Sequence, residues 1–243
     1  MSSPDAAEIS VIQEAVVRRA SRLALPAGAK VLDGPCGAGA MVVSLRRLGL
    51  EAWGADIEPD AQVLLGKHFQ LADLNQTLPW PDSSFDALFS IEGIEHLENR
   101  FMFLREAHRV LKRDGLLIIT TPNIVSLRSR VRFLGSGFFH KDSRPLNESA
   151  RHPLHHIGLQ TFPDLRYAVH TAGFRIVETA ATHVKPVSYL YGILAPWMWL
   201  YTRIAFRKEK DPAQCARNKE IRRALYSHAL LFGENLMVLA RKV

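Results

Sequence analysis

The stretch that most restricts this chain runs from Lys30 to Ala40, reading Lys-Val-Leu-Asp-Gly-Pro-Cys-Gly-Ala-Gly-Ala. An apolar run ends in an acid, and three glycines lead into a helical pattern. Gly34, Gly37 and Gly39 place no Cβ where the backbone must turn sharply, approach a ligand and let a helix pack on a strand. A helix opening at about residue 38 points its unpaired N–H groups into that loop, a setting that favours a carboxylate. Tight strand-to-helix turns use the same residues without any ligand, so the loop restricts the fold more than the function.

The rest of the chain alternates around this loop. Residues 6–25 carry apolar side chains at helical spacing and stop at Pro26-Ala27-Gly28. Residues 31–33 read as a buried strand, 41–48 as the helix after the loop, and 51–56 as a strand ending in Asp56. A third strand at 69–74 has Asp73 near its end, and a continuous apolar strand follows at 85–91. The amphipathic stretch 101–111 reads as a helix closed by Lys112-Arg113-Asp114-Gly115, with a strand at 116–121 behind it. Residues 161–171 resume as a helix capped by Gly173; 174–181 and 235–240 are strands, the last one antiparallel. This alternation predicts an α/β fold: a Rossmann-like, seven-stranded, mostly parallel sheet with a terminal antiparallel strand and helices on both faces. It breaks off at 122–160 and 183–230, two insertions within a single domain spanning 1–243 whose first 26 residues hold an N-terminal helix. Ligands in such sheets sit at the carboxyl ends of the strands, where Asp33, Asp56 and Asp73 fall.

Composition bounds the setting. Two cysteines, Cys36 and Cys215, form no disulfide framework and suit a reducing compartment. The N-terminus has acids and no leading apolar core, so no signal peptide is expected and a cytoplasmic protein, at most one at the inner face of a membrane, is. The net charge of +7 is compatible with nucleic acid, an anionic membrane or an acidic substrate. The local groups Arg18-Arg19-Arg22, Arg128-Arg130-Arg132 and Arg203-Arg207-Lys208-Lys210 read mostly as solvated helix faces, so charge alone selects no partner.

With those residues laid out, the chain resembles the class I S-adenosylmethionine-dependent methyltransferases over about 27–243. The glycine loop looks like their first motif, with Pro35-Cys36 in place of the more frequent Gly-Cys. Asp56, the Asp73-Leu74 pair, Phe85-Asp86, residues 109–115 and the terminal Gly-Glu-Asn-Leu-Met-Val-Leu-Ala follow in the family's order. A dinucleotide-binding reading also wants a glycine loop and an acid about 20 residues on, but not the third acid or the last strand. The resemblance implies S-adenosylmethionine as the cofactor: Asp56 with Ile57 for the ribose diol, Asp73 and Leu74 for the adenine edge, and Asp33, Gly34, Gly37, Gly39 and Ile91 around the amino-acid tail. Each acid also suits a helix cap or loop anchor.

An oxygen acceptor of high pKa needs a base or a metal, and two constellations could supply one. Glu92-Gly93-Ile94-Glu95-His96 looks like the magnesium-binding segment of ubiquinone-biosynthesis O-methyltransferases, which makes Glu92, Glu95 and His96 candidate metal ligands and Mg a candidate ion; the same segment also orders a loop without metal. The second is Arg151-His152-Pro153-Leu154-His155-His156. Many such methyltransferases place a histidine before the helix that covers the acceptor, and His156 stands in that position, so His156, His155 and His152 are the candidate catalytic groups. An imidazole pKa near ~6.5 suits proton removal at neutral pH.

Residues 121–139 resemble bacterial methyltransferases found with cell-surface glycan synthesis. That favours a glycan or lipid-linked acceptor, as in lipopolysaccharide biosynthesis, over a quinone-like or other small-molecule acceptor; a cofactor-binding scaffold without turnover is the third reading. Thr121-Pro122-Asn123 follows the fifth strand, not the fourth, which disfavours nucleic-acid amino methylation. Residues 187–206 are apolar and aromatic and end in Arg207-Lys208, but Gly192, Pro196 and Arg203 interrupt them. An acceptor lid, a homodimer face and an interfacial helix at a membrane surface are the readings open.

Overall fold

In the computed structural model the described residues are 9–141, 145–149, 152 and 154–243. The first helix, α1 (Val11–Ala20), starts at Ser10, whose hydroxyl accepts the Gln13 N–H while Gln13 accepts the Ser10 N–H, a reciprocal cap. The expected earlier start at residues 6–8 lies outside the described residues. The helix also ends five residues sooner than the pattern predicts; Leu23 and Leu25 keep their place against the core from a turn.

From there β1 (Lys30–Asp33), α2 (Ala40–Arg47), β2 (Glu51–Asp56), α3 (Gln62–Leu65), β3 (Phe69–Leu71), β4 (Phe85–Ile91), α4 (Arg100–Val110) and β5 (Leu111–Pro122) follow in order. After α5 (Leu127–Ser136) come α6 (Phe162–Thr171), β6 (Phe174–Ala181), α7 (Ala195–Phe206), α8 (Pro212–Leu225), α9 (His228–Phe232) and β7 (Asn235–Lys242). One seven-stranded sheet results, in the order β3-β2-β1-β4-β5-β7-β6. Strands β1 to β5 pair in parallel, and β7 runs antiparallel between β5 and β6. Each face carries its own core. Leu88 of β4 joins Phe103, Leu104, Leu165 and Phe174 on one side, while Phe89 joins Val16, Met41 and Leu45 on the other. Burial on both faces is why these strands read as continuous apolar runs.

Three local expectations are corrected. Strand β3 stops at Leu71, so Asp73 sits in the turn beyond it. Residues 112–115 do not close α4 but bulge out of β5: Leu111 pairs with Phe85 and the next partner, Leu116, with Ala87. Asp114 takes a left-handed φ of 60° there, and Asp86 holds the bulge through Lys112 Nζ at 2.8 Å. The insertion at 122–160 contains a helix, α5, which the pattern does not reveal; Ser126 caps its start and Gly137, at φ 71°, its end.

Both insertions leave the sheet at the carboxyl edge of β5, because β7 starts opposite Pro122 and β6 ends beside it. Glu234 fastens them. Its buried carboxylate meets Arg128 at 3.1 Å, His140 at 3.2 Å and Lys185 at 3.4 Å, two groups from the first insertion and one from the second.

Candidate active site at the carboxyl edge of the sheet

The loop between β1 and α2 is built by its neighbours. The Gly34 N–H donates to the Phe89 carbonyl and the Cys36 N–H to the Ala55 carbonyl, both at 2.9 Å, so the loop lies across the ends of β4 and β2. Gly37 and Gly39 turn it at φ 49° and 88°, where a side chain would be strained. At the end of β2, Asp56 Oδ2 accepts the Gly37 N–H at 2.8 Å and Oδ1 the Glu58 N–H at 3.1 Å. Each carboxylate oxygen has room for a further donor. Asp33, at the end of β1, is wholly buried with Oδ1 lacking any hydrogen-bond partner. Burial, and then the charge of Asp56, push its carboxyl well above the usual range. Burial also drives the Cys36 thiol up, so it packs rather than reacts.

The sequence-predicted donor residues therefore collect at adjoining strand ends. Asp33 and Gly34 stand at the end of β1, Asp56 and half-exposed Ile57 at that of β2, and buried Ile91 at that of β4. Leu74 packs near Gly34, 3.5 Å from where a Cβ would stand. Asp73 anchors its own turn, with Oδ1 accepting the Asn75 N–H at 2.8 Å and the Asn75 side-chain amide at 3.0 Å. Oδ2 takes no part in that turn.

Past β4 the chain reverses at Glu92, a left-handed residue at φ 50°. Its N–H donates to Thr120 Oγ1 at 3.0 Å, and its carboxylate accepts from the Asn235 amide. Glu95 follows in a short 3-10 turn, Ile94–His96, wholly buried, with the Thr121 hydroxyl and its own backbone N–H as the polar groups nearest its carboxyl. Burial, reinforced by the charge of Glu92, pushes its carboxyl up to about 8. Residues 155–158 strap across this turn: the Gly158 N–H donates to the Glu95 carbonyl at 2.8 Å, and His96 Nδ1 lies 3.1 Å from the His155 carbonyl. A carbonyl only accepts, so Nδ1 carries a proton in this contact.

The strap unites two constellations that lie 60 residues apart in sequence. Ligating atoms of Glu95, His96 and His156 all fall within 4.8 Å of one another, and the His96 and His156 rings are 4.9 Å apart. Glu92 is turned toward Asn235 instead. His155 contributes its backbone carbonyl; His152 is exposed, its Nδ1 accepting the Leu154 N–H at 3.1 Å. Arg151 and Pro153 of the same motif lie outside the described residues. One carboxylate and two imidazoles suit a transition metal better than magnesium, which prefers oxygen donors.

Several polar groups at this edge escape the sequence reading. Ser90 Oγ, Asn235 Oδ1 and both polar atoms of the Gln160 amide are buried without a hydrogen-bond partner among the described residues, and the Thr121 hydroxyl is buried facing only the Glu95 carboxyl. Such atoms are uncommon in folded proteins. A hydroxyl in an otherwise apolar strand run, as at Ser90 and Thr121, is the signal that could have found two of them.

Residues 32–119 match the family described as "Methyltransferase domain". The chain is 36% identical over 119 residues to a demethylmenaquinone methyltransferase of Tropheryma whipplei, covering 46% of this chain and 50% of that one. It is 33% identical over 114 residues to the mitochondrial ubiquinone biosynthesis O-methyltransferase of Rattus norvegicus, covering 41% and 32%. The chain thus spans half or less of the length of these relatives. Among solved structures, a SAM-dependent methyltransferase of Archaeoglobus fulgidus matches with a TM-score of 0.55 at 20% identity, over 95% of this chain and 94% of that one. At that identity the likeness concerns the fold. No described helix is long and apolar enough to cross a membrane.

Proposed function

Because the chain belongs, by its sheet and by the domain at residues 32–119, to the class I S-adenosylmethionine-dependent methyltransferases, we propose that it transfers a methyl group to an acceptor hydroxyl. The observation that carries the oxygen acceptor is the meeting of Glu95, His96 and His156 within 4.8 Å. A hydroxyl of high pKa needs a proton acceptor as the new bond forms, and this group offers two imidazoles beside a buried carboxyl.

The donor supplies a methyl group on a sulfonium, an electrophile that needs no further activation. The work of the chain is to hold and exclude. Asp56 accepts from a ribose diol, and Asp73 Oδ2 from an adenine amino group. Asp33, costly to ionise where it is buried, pairs with the ammonium of the amino-acid tail. The loop after β4 touches the glycine loop at Gly93 and Pro35, so the proton-accepting group is carried on the segment that borders the donor. The insertions over this edge keep water from the reacting atoms.

Two acceptor classes remain in this reading. A sugar hydroxyl of a surface glycan, or of its lipid-linked precursor, is favoured by the segment at 121–139. A quinone-like ring hydroxyl is favoured by the names of the relatives from Tropheryma and Rattus. If a metal takes part, its ligands are Glu95, His96 and His156. Incubation with methyl-labelled donor and each acceptor pool, followed by mass spectrometry, separates the two classes; donor binding with no transfer to either would instead favour a non-catalytic scaffold.

A further inference from the structure

The second insertion presents a surface that the reaction does not use. Leu190, Ile193, Trp197, Leu200, Tyr201 and Ile204 recur every three or four residues along the 3-10 segment Pro186–Leu194 and α7. Leu190, Ile193, Trp197 and Tyr201 are each at least 75% exposed, too much apolar surface in one stripe for scattered residues. The stripe is not a misplaced core face, because α7 already packs through its other side. There Thr202 meets the Tyr226 hydroxyl at 2.8 Å, and Met198 lies beside Arg130.

At the end of the stripe α7 and α8 enclose a cleft of about 190 Å³ lined by Arg203, Arg207, Lys219 and Arg222, with no acid in its lining. Arg203 and Arg222 both lie against the Trp199 ring, at 5.2 and 6.0 Å, which holds two of the cations in place. Neighbouring Arg217 is tied to Asp211 and Arg166 to Glu220, whereas none of the four lining cations makes an ion pair among the described residues.

We propose that this surface docks the protein on an anionic lipid membrane, with the stripe lying in the headgroup–acyl boundary and the cleft taking lipid phosphates. Charge complementarity selects the occupant. A second copy brings the same cleft and the same net +7 to the contact, while an anionic leaflet meets apolar and cationic parts together. The 12 residues of α7 are too few to cross a bilayer, so the element lies in the plane. The docking concerns a different surface from the proposed chemistry and does not depend on which acceptor is methylated.

The test is flotation of the full chain with vesicles of phosphatidylcholine alone and of phosphatidylcholine with phosphatidylglycerol. Binding is expected to the anionic vesicles, to weaken with added salt, and to fall by about tenfold or more in Trp197→Glu/Ile204→Glu and in Arg207→Glu/Lys219→Glu. These positions are exposed, so melting temperature and donor binding should be those of the parent. No flotation with anionic vesicles, or equal flotation of the parent and both variants, overturns the proposal. So does a lipid-independent dimer, seen by light scattering, that the Trp197 variant dissociates while flotation is absent.

Discussion

Gly93 stands so close to Pro35 that a Cβ on it would fall on the pyrrolidine ring. This contact presses the turn bearing Glu95 and His96 against the donor loop, and only a residue without a side chain allows it. Gly93→Ala should therefore lose about 1–3 kcal/mol of stability through overpacking. Chemical denaturation measures that loss, and donor affinity should fall with it.

Asp56 joins the glycine loop to β2 through the Gly37 and Glu58 N–H groups. Asp56→Ala should weaken S-adenosylmethionine binding by about 1–3 kcal/mol, from the diol contacts and the slackened loop together. Calorimetry that finds the affinity unchanged would remove Asp56 from the donor site.

Asp33 holds its proton more tightly than an ordinary carboxyl because it is buried beside Asp56. Pairing with an ammonium requires that proton to leave. Donor binding should tighten as pH rises toward the raised pKa of Asp33 and release protons into the buffer. Titration calorimetry in buffers of different ionisation enthalpy reads the release, and Asp33→Asn should abolish its share.

Glu95 gives the opposite pH dependence, and for stability. Its carboxyl rises in the folded protein from an ordinary 4.5 to about 8, so the native state keeps a proton that the unfolded chain gives up. The stabilisation is fully present below about 4.5 and is lost as pH rises through about 8, with a slope of at most about 1.4 kcal/mol per pH unit. Glu95→Gln should flatten the stability profile across that window in urea melts, relative to the parent.

His156 reaches the acceptor side only through the strap over Glu95. His156→Ala should leave donor affinity intact while lowering methyl transfer by about 10²-fold or more, the range for loss of a positioned base. A single-turnover assay beside calorimetry separates the two effects.

The strands could be read from the chain with little loss: β2 and β4, largely buried, and the edge strand β6 have the expected bounds, as does the antiparallel start of β7. Their signal is local: an apolar run closed by a turn in β2 and β4, partial alternation in β6. The helix α5 hid because the alternation stops at 122 and a solvated helix face through Arg128, Arg130 and Arg132 gives no bounds of its own, although Ser126 and Gly137 marked its ends. The stretch 187–206 read as one apolar run but splits at Ala195 into a 3-10 segment and a helix, with Pro196 in the first turn of α7. The acceptor side shows what spacing leaves open. Glu92 lies near Glu95 in sequence yet turns to Asn235, and His156 arrives from a distant loop. Both outcomes depend on a backbone reversal at Glu92 and on tertiary strapping, neither of which has a period.

Arg128, Lys185 and the His140 imidazole, gathered on Glu234, tie the two excursions into one cover. Arg128 and His140 hold the same carboxylate that Lys185 also grips, so a displacement of either excursion is resisted by the other. The residue just ahead of the last strand thus doubles as the rivet between them.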